Sequence, residues 1–510
     1  MPPASAAVVL QGHLHPAVLL LRLLDGLRHA ALPTLLGALA EPIFLVIGAA
    51  VFLLHVGYGL LRYLTFQYTL TTEELRTREG VLHRQERRIP IDRIQDVGFE
   101  STILRRALGL AVVRVETASG QGVEAALDSL SRVDAEGFRE SLLALRSARA
   151  RMPSCDATSD SQGVPAAAIA APQPEWTVFV VDTGMLLLRG LSDLRFGAMA
   201  VAAFGAYEIA DQLGVVTQLQ GVGDSFFGWL SRFPWFIAAG MLLALVAAAL
   251  ALSAAFAAVG NLLAFHGFRL TLRQNALCCR FGLLTTRQKT LPRARIQRVR
   301  VEQTWLRRLL GVGVVRADSA GAGRGVDDEA PGGFDVLVPL ARAARIDALL
   351  PAALPGLERA AAPVRRASPR LVARLVARGC IEATCAAVVL WPLYGSAALL
   401  GLCWAPIAWV RAVLLWHGIA FALFDEHLFL RSGAIGSYQV FVPTAKVQAV
   451  SLRRGPIQRL LGLAEVAVFV AGGPPTRVPD LDLPTAMALC GDLADRAAHA
   501  AWREWRTVAV

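Results

Sequence analysis

The chain has 510 residues, too many for one hydrophobic core, so several structural units are expected. Apolar residues make up 55% of the sequence and charged residues only 18%, and the mean hydropathy is +0.48, which indicates a membrane protein rather than a soluble one. With this hydropathy, the formal net charge of +11 favours an anionic membrane surface or cytoplasmic loops over nucleic acid as its cause. The seven cysteines lack the spacing of a disulfide framework or a zinc site.

Apolar stretches occur in three regions, which we interpret as three pairs of transmembrane helices. The first region covers about 30–61, the second combines a weaker stretch at 196–212 with 234–263, and the third is 381–417, broken by a Pro and a Gly at 391–395. Residues 234–263 carry no charge, and a bilayer crossing needs only about 20 residues. The first helix of the first pair has an alternative placement along the membrane interface, because Arg22, Asp25 and Arg28 lie where it would begin.

Arginine is concentrated between the apolar pairs. The connectors within the second and third pairs, 211–233 and 391–398, contain one arginine and none, respectively. Positively charged loops resist translocation, so all the stretches between the pairs are expected to face the cytoplasm. If two successive stretches both face the cytoplasm, the chain between them must cross the membrane an even number of times. A pair of helices provides two crossings.

Three stretches that follow the apolar pairs are internal duplicates. They align without a gap on one proline, and the shared residues are an arginine and a glycine before it, then a cation, a glutamine and a second glycine after it. The aligned positions are Arg78, Gly80, Pro90, Arg93, Gln95 and Gly109; then Arg280, Gly282, Pro292, Arg295, Gln297 and Gly311; then Arg431, Gly433, Pro443, Lys446, Gln448 and Gly462.

Each duplicate has the pattern of a small β domain closed by a helix. Short β-type runs end at the first glycine, which suits a hairpin turn with positive φ. After the proline come a strand, a one-turn helical insert such as "ILRRALG", a further strand and an amphipathic helix. Such an order, in roughly 85–90 residues, predicts a β-barrel or split barrel with a helical lid.

The combined pattern, R-x-G, then I/V-P-x-x-R/K-I/V-Q-x-V, then h-x-R-x-L-G, resembles the bacterial membrane-flanked domain family of the YdbS/YdbT type in its three-copy form. This resemblance implies a pleckstrin-homology (PH)-like fold and a membrane location, and no defined activity. The predicted fold class is therefore an α+β membrane protein with three PH-like domains, each with a C-terminal helix and each preceded by a transmembrane pair. The expected boundaries are: N-terminal segment and pair 1, 1–62; domain 1, 63–150; linker, 151–175; pair 2, 176–264; domain 2, 265–352; linker, 353–372; pair 3, 373–415; domain 3, 416–502.

The second duplicate is the basic one. Residues 265–350 contain 15 Lys and Arg against 7 Asp and Glu, whereas residues 63–149 contain 13 of each. Near an anionic leaflet each basic residue gains about 1 kcal/mol. The candidate anionic-lipid contacts are Arg293, Arg295, Arg298, Arg300, Arg307 and Arg308; the alternative is that they are solvated or determine topology only. The repeated signature residues are interpreted as structural, because they persist in all three copies.

No nucleophile, metal-ligand or phosphate-loop motif occurs in the sequence, so neither an enzyme nor a cofactor is expected. Two functional hypotheses remain. The first is a non-enzymatic scaffold in the cell membrane, with cytoplasmic domains that bind lipid, a single-domain paralogous membrane protein or each other, in envelope maintenance or stress tolerance. The second is a transport or export component, which the absence of a polar helix stripe disfavours. No nucleic-acid partner is expected.

Overall fold

The computed structural model describes residues 8–38, 43–80, 84–117, 123–150, 176–192, 225, 228–273, 275–319, 334–357, 363–395, 404–424, 426–471 and 473–508. The linker at 151–175 and the weaker apolar stretch at 196–212 lie outside these residues. Three domains follow one another along the chain, and each begins with a strand that precedes its helical pair.

The elements of domain 1 are β1 (Val8–Gly12), α1 (Val18–Ala38), α2 (Ile43–Thr65), β2 (Gln67–Thr71), β3 (Glu74–Glu79), β4 (Gln85–Pro90), β5 (Ile94–Thr102), α3 (Ile103–Ala107), β6 (Leu110–Thr117), β7 (Val123–Ser131) and α4 (Arg132–Ala150).

Domain 2 repeats this order with β8 (Trp176–Val180), α5 (Thr183–Ser192), α6 (Trp235–Phe265), β9 (Arg269–Arg273), β10 (Ala276–Phe281), β11 (Thr285–Pro292), β12 (Ile296–Gln303), α7 (Trp305–Leu309), β13 (Val312–Ser319), β14 (Phe334–Arg342) and α8 (Ala343–Ala353). Domain 3 has β15 (Arg365–Arg366), α9 (Arg370–Tyr394), α10 (Trp404–Gly418), β16 (Ala420–Leu423), β17 (His427–Ser432), β18 (Ser437–Pro443), β19 (Val447–Arg453), α11 (Pro456–Leu460), β20 (Leu463–Val470), β21 (Thr476–Asp482) and α12 (Leu483–Val508).

The local features expected from the repeated residues are present in every domain. Gly80, Gly282 and Gly433 have φ of 116°, 107° and 133°, a region that glycine enters without steric cost. The signature proline ends a strand and precedes a single 3₁₀ turn, at Ile91–Arg93, Arg293–Arg295 and Thr444–Lys446. The predicted one-turn inserts form α3, α7 and α11, and the predicted closing helices form α4, α8 and α12.

Every domain divides its strands into two half-sheets. The first half-sheet contains the strand before the helical pair and the three strands after it; the second contains the three strands after the 3₁₀ turn. The first half-sheet of domain 1 has the order β1-β2-β3-β4, and the second half-sheet of domain 3 has the order β19-β20-β21.

The remaining half-sheets join across domain boundaries. β11 of domain 2 pairs antiparallel with β5 of domain 1, which gives a seven-stranded sheet of order β7-β6-β5-β11-β10-β9-β8. β18 of domain 3 pairs with β12 of domain 2 in the same way, within the sheet β14-β13-β12-β18-β17-β16-β15. The three domains are therefore connected by backbone hydrogen bonds as well as by the chain itself.

The apolar cores differ in whether they extend across a domain boundary. The core of domain 1 is formed by its own residues, among them Leu70, Val113 and Phe138. The core of domain 2 includes Phe429 and Phe441 of domain 3, so the two domains share this core, and domain 3 has a second core of its own around Val440 and Val466.

The helices of each pair pack against each other, α1 on α2, α5 on α6 and α9 on α10. Within the described residues, two segments are long and apolar enough to cross a bilayer, Leu45–Thr65 in α2 and Trp235–Phe265 in α6. The sequence predicts six bilayer crossings, and this number stays a prediction. The strand β8 lies in the range assigned there to the second helical pair, and it pairs with β9.

Candidate interaction surfaces at the domain junctions

The six arginines proposed as lipid contacts lie on the 3₁₀ turn, on β12 and on α7 of domain 2. β12 is a central strand, because β13 pairs with one of its edges and β18 of domain 3 with the other. The sequence gives no indication that β18 pairs with β12. This pairing changes the environment of the arginines on β12.

Arg298 is a buried link between domains 2 and 3. Its side chain is 3% exposed, and its Nε and Nη2 lie 3.0 and 2.9 Å from one carboxylate oxygen of Asp318. Its Nη1 donates to the carbonyl of Pro474 and to the hydroxyl of Thr476, both in domain 3. Burial lowers the pKa of Arg298, and the Asp318 carboxylate opposes that shift. A guanidinium enclosed in this way has a structural role and is withdrawn from lipid.

Two more of the six arginines reach domain 3 from the same face of the junction. The guanidinium of Arg300 lies 5.7 Å from the centre of the Tyr438 ring, a cation–π contact, and it also pairs with Glu302. Arg308 is exposed and donates to the carbonyl of Ile435, 3.4 Å away, in the turn between β17 and β18.

The other three arginines contact domain 2 itself. Arg293 donates to the carbonyls of Pro351 and Ala352 at the end of α8, and burial lowers its pKa. Arg307 is 5% exposed and donates from Nε to the hydroxyl of Ser192, 3.0 Å away, at the end of α5. Arg295 is half-buried. The buried positions of Arg298 and Arg307 do not support a lipid role for these two; for the other four it stays a prediction.

The junction of domains 1 and 2 is polar. Glu100 on β5 pairs with Arg114 on β6 at 2.6 Å and with Arg287 on β11 at 3.6 Å, so one carboxylate connects the two domains. Arg106 on α3 donates to the carbonyl of Leu283 at 2.8 Å and to the hydroxyl of Thr286 at 2.9 Å.

Arg106 and Arg308 occupy the same repeat position, three residues before the second signature glycine, and both donate to the turn of the following domain. This arginine is part of the repeated pattern h-x-R-x-L-G, from which only Arg308 was interpreted functionally, as a lipid contact, and no role at the junctions was expected. Its recurrence in all three copies, with Arg459 as the third, was the signal that could have identified it.

The repeated signature residues lie at turns and strand ends. Arg78 pairs with Glu86 on the neighbouring strand at 3.3 Å, and hydrogen bonds from Arg88 and Arg78 lower the pKa of the Glu86 carboxyl. The same strand positions face each other in the other domains, Arg280 opposite Gln288 and Arg431 opposite Gln439.

The second signature glycine connects the helical insert to the closing helix. The carbonyls of Gly109, Gly311 and Gly462 accept hydrogen bonds from the first backbone N–H of α4, α8 and α12, at 2.9, 2.9 and 3.1 Å. These glycines also have positive φ, between 64° and 68°. Of the signature glutamines, Gln297 is buried and donates to the Arg295 carbonyl, Gln448 is exposed, and the side chain of Gln95 lies outside the described residues.

Arginine–aspartate pairs fix the first helix of two helical pairs to the domain below it. Arg22 on α1 lies 3.3 Å from Asp128 on β7. In domain 3 Arg374 on α9 lies 2.5 Å from Asp480 on β21, a fully buried residue whose other carboxylate oxygen accepts from Gln458. These pairs hold the helices at a defined position on the sheet.

The described residues contain no group of three or more His, Cys, Asp or Glu side chains placed to hold a metal ion. One small pocket lies in the core of domain 2, and every side chain that lines it is apolar, among them Leu270, Leu277 and Ile346. The polar groups of the described part are instead concentrated at the junctions and at the helix bases.

A family model for the bacterial PH domain matches the chain three times, at residues 28–146, 217–353 and 371–497. The chain belongs to the bacterial PH domain family. One relative of the chain is the UPF0699 transmembrane protein YdbT of Bacillus subtilis (strain 168). The two sequences are 22% identical over 411 residues, which is 80% of each chain. No solved structure matches. The three matches agree with the three bacterial PH domains described above.

Proposed function

We propose that this bacterial PH domain protein is a non-enzymatic, multi-pass protein of the cell membrane. The chain crosses the bilayer six times, in three pairs of helices, with residues 196–212 as the first crossing of the second pair. Its three domains form one cytoplasmic platform for anionic lipid and for protein partners, including a single-domain membrane protein of the same family. Such a platform serves envelope maintenance or stress tolerance as a scaffold.

One observation carries the placement of all domains on the same side. In every domain the strand before the helical pair and the strand after it are hydrogen-bonded neighbours: β1 with β2, β8 with β9, and β15 with β16. The chain thus leaves a sheet before each helical region and returns to the same sheet after it. This return supports an even number of bilayer crossings in each region.

The cytoplasmic orientation is supported by charge. Domain 2 carries an excess of arginine, and Arg22 and Arg374 lie where α1 and α9 meet their domains. Positive charge beside membrane helices stays on the cytoplasmic side. Of the proposed lipid contacts, Arg295 and Arg308 are partly or fully exposed and retain access to an anionic leaflet.

The orientation is tested by labelling single cysteines with a membrane-impermeant maleimide in intact cells, in a chain whose seven native cysteines are replaced. The test positions are the exposed Arg93, Arg345 and Asp495, one per domain, and the control is Ser231 in the connector predicted to lie outside. We expect Ser231→Cys to be labelled in intact cells and the other three only after permeabilisation. Labelling of the domain positions in intact cells would contradict the proposal.

The lipid contact is tested on the purified full chain by mass spectrometry of the lipids it retains. Replacement of Arg295 and Arg308 with Gln is expected to lower the retained anionic lipid relative to zwitterionic lipid. Replacement of the exposed Arg342 and Arg345 with Gln, on the same domain, serves as a charge-matched control. Equal retention in both variants would remove lipid from the proposal and leave the protein-binding role.

A further inference from the structure

The two internal junctions use the same strands in the same register. At the first, Gln288 lies opposite Phe99, and at the second Gln439 lies opposite Val301. Both glutamines come four residues before the signature proline, and Phe99 and Val301 both come nine residues after it. An identical register at two separate junctions indicates a reusable way of joining these domains, because a strand can in principle slip along its neighbour.

Two half-sheets of the described structure, the first of domain 1 and the second of domain 3, each contain one half of this junction without the other. β4, which corresponds to β11 and β18, is an edge strand of the first half-sheet of domain 1. β19, which corresponds to β5 and β12, is an edge strand of the second half-sheet of domain 3. Within the described residues neither strand has a neighbour on its outer side.

The outer edge of β19 is exposed and apolar, although the equivalent edges of β5 and β12 are paired with a strand of the next domain. Residues 447–452 carry no charge and the exposed Arg453 is the one charged residue of the strand, at its end, whereas exposed edge strands are ordinarily protected by charged residues. Leu452 corresponds to Val301, nine residues after the proline; it is 37% exposed, while Val301 is 2% exposed under β18. Exposed apolar and unpaired backbone groups together favour the addition of a further strand.

Arg459 is a second, independent sign. It is the third member of the set in which Arg106 and Arg308 each donate to the turn of the following domain. In domain 3 it lies on α11, the insert that follows β19, with its side chain exposed and with no side-chain hydrogen bond or ion pair to the described part of the chain. A residue that fastens each internal junction is thus repeated in domain 3, after which the described residues contain no further domain.

We propose that β19 of one molecule pairs with β4 of a second copy, in the register of the internal junctions, so that copies associate head to tail. In this register Glu86 lies opposite Leu452, Arg87 opposite Ser451 and Arg88 opposite Val450. Charges on β4 do not prevent this, because β11 carries Arg287 and Lys289 and is nevertheless paired at the first junction.

A second copy is the occupant for which the chain itself provides both halves. Its β4 continues the series formed by β11 and β18, and β19 continues the series formed by β5 and β12, so the new junction repeats a contact already made twice. A head-to-tail contact of this kind produces a closed ring when its rotation closes and a filament when it does not. The pairing also suits domains held on one side of a membrane, as proposed above.

The register is tested by exchanging charge across it. Leu452→Glu introduces a carboxylate opposite Glu86, and like charges facing each other across strands are destabilising, so association is expected to weaken roughly tenfold. The double variant Leu452→Glu/Glu86→Arg restores an opposite-charge pair and is expected to recover association. Met487→Glu, an exposed apolar residue on α12, is the matched control and is expected to change nothing. Association is measured by mass photometry of the full chain in detergent and in nanodiscs over a range of concentrations.

Two further variants make the test specific. Arg459→Gln is expected to weaken association without altering thermal unfolding of the single copy. In a chain without native cysteines, Arg88→Cys should form a disulfide with Val450→Cys of another copy, and not with Ser451→Cys, whose side chain points to the opposite face. The idea is overturned if the chain stays a single copy throughout, if Leu452→Glu associates like the unaltered chain, or if the double variant does not recover. Because association in detergent does not depend on membrane orientation, its failure is distinguishable from a failure of the proposed topology.

Discussion

The two junctions between the domains have the same strand register and very different surroundings. At the second junction Val299 and Val301 of β12 are buried in a core that continues into Phe429 and Phe441 of domain 3. At the first junction the core of domain 1 stops at β5, where Phe99 is only partly buried, and the contacts across the boundary are polar.

This difference shows that a shared register does not determine how strongly two domains are coupled. Backbone hydrogen bonds contribute little net stability when water is the alternative partner, whereas burial of apolar surface contributes about 25 cal/mol per Å². Domains 2 and 3 should therefore unfold together. Domain 1 should be a separate unit that is held to them by a hydrogen-bonded edge and a few ion pairs.

The largest effect is expected from Arg298→Ala. The change leaves the Asp318 carboxylate buried without its partner and removes the donors to Pro474 and Thr476, a loss of about 3–5 kcal/mol in the free energy of unfolding. Thermal unfolding of the full chain, followed by tryptophan fluorescence, should show domains 2 and 3 shifted together. The double variant with Asp318→Ala removes the orphaned charge and should recover a large part of the loss. A shift confined to domain 2 would contradict the difference between the two junctions, because it would mean that domains 2 and 3 are coupled no more strongly than domains 1 and 2.

A smaller effect is expected from Glu100→Gln, which removes the carboxylate shared by Arg114 and Arg287 at the first junction. Both arginines are partly exposed, so the loss should be about 1 kcal/mol or less, and 1 M salt should largely abolish the difference from the unaltered chain. The effect of Arg298→Ala should persist in salt, since that pair is buried. Equal salt dependence of the two variants would contradict the assignment of one junction as exposed and the other as enclosed.

Much of the interior of each domain could be predicted from the sequence. Gly80, Gly282 and Gly433 are expected in turns with positive φ, and the inserts as one-turn helices, because these features depend on residues close together in the chain. The strands β8 and β15 were not expected, because they lie before the helices and find their partners only through the returning chain.

The role of the arginines could not be predicted for a physical reason. On sequence alone Arg298 and Arg300 alternate along a strand with apolar residues, which is the pattern of a solvated face. Contacts between distant segments are not encoded locally, so the approach of Pro474 and Thr476 of domain 3, which encloses Arg298, leaves no mark in the residues of β12 itself. Asp318, the carboxylate that pairs with Arg298, lies on the next strand, β13, 20 residues further along the chain.

Acid should weaken the second seven-stranded sheet selectively. Burial lowers the pKa of His427 on β17 below its usual value of 6.5, and Glu426 partly opposes this shift. The folded state therefore favours the neutral imidazole, while the unfolded chain takes up a proton more readily, so stability is lost as the pH falls below the unfolded value. His427→Gln should reduce the slope of the melting temperature against pH between 7 and 5 for domains 2 and 3, and an unchanged slope would contradict this assignment.

The smallest effect is expected from Arg106→Gln at the first junction. The exposed guanidinium donates to the Leu283 carbonyl and the Thr286 hydroxyl, so its loss should cost about 0.5–1 kcal/mol, detected as earlier unfolding of domain 1. The matched change Arg308→Gln removes one contact of 3.4 Å and should have less effect, since the shared core of domains 2 and 3 remains. Native-state hydrogen exchange across β5 and β12 would measure both. If Arg308→Gln increases exchange in β12 as much as Arg106→Gln does in β5, then these arginines, and not the core, determine how firmly the domains are joined.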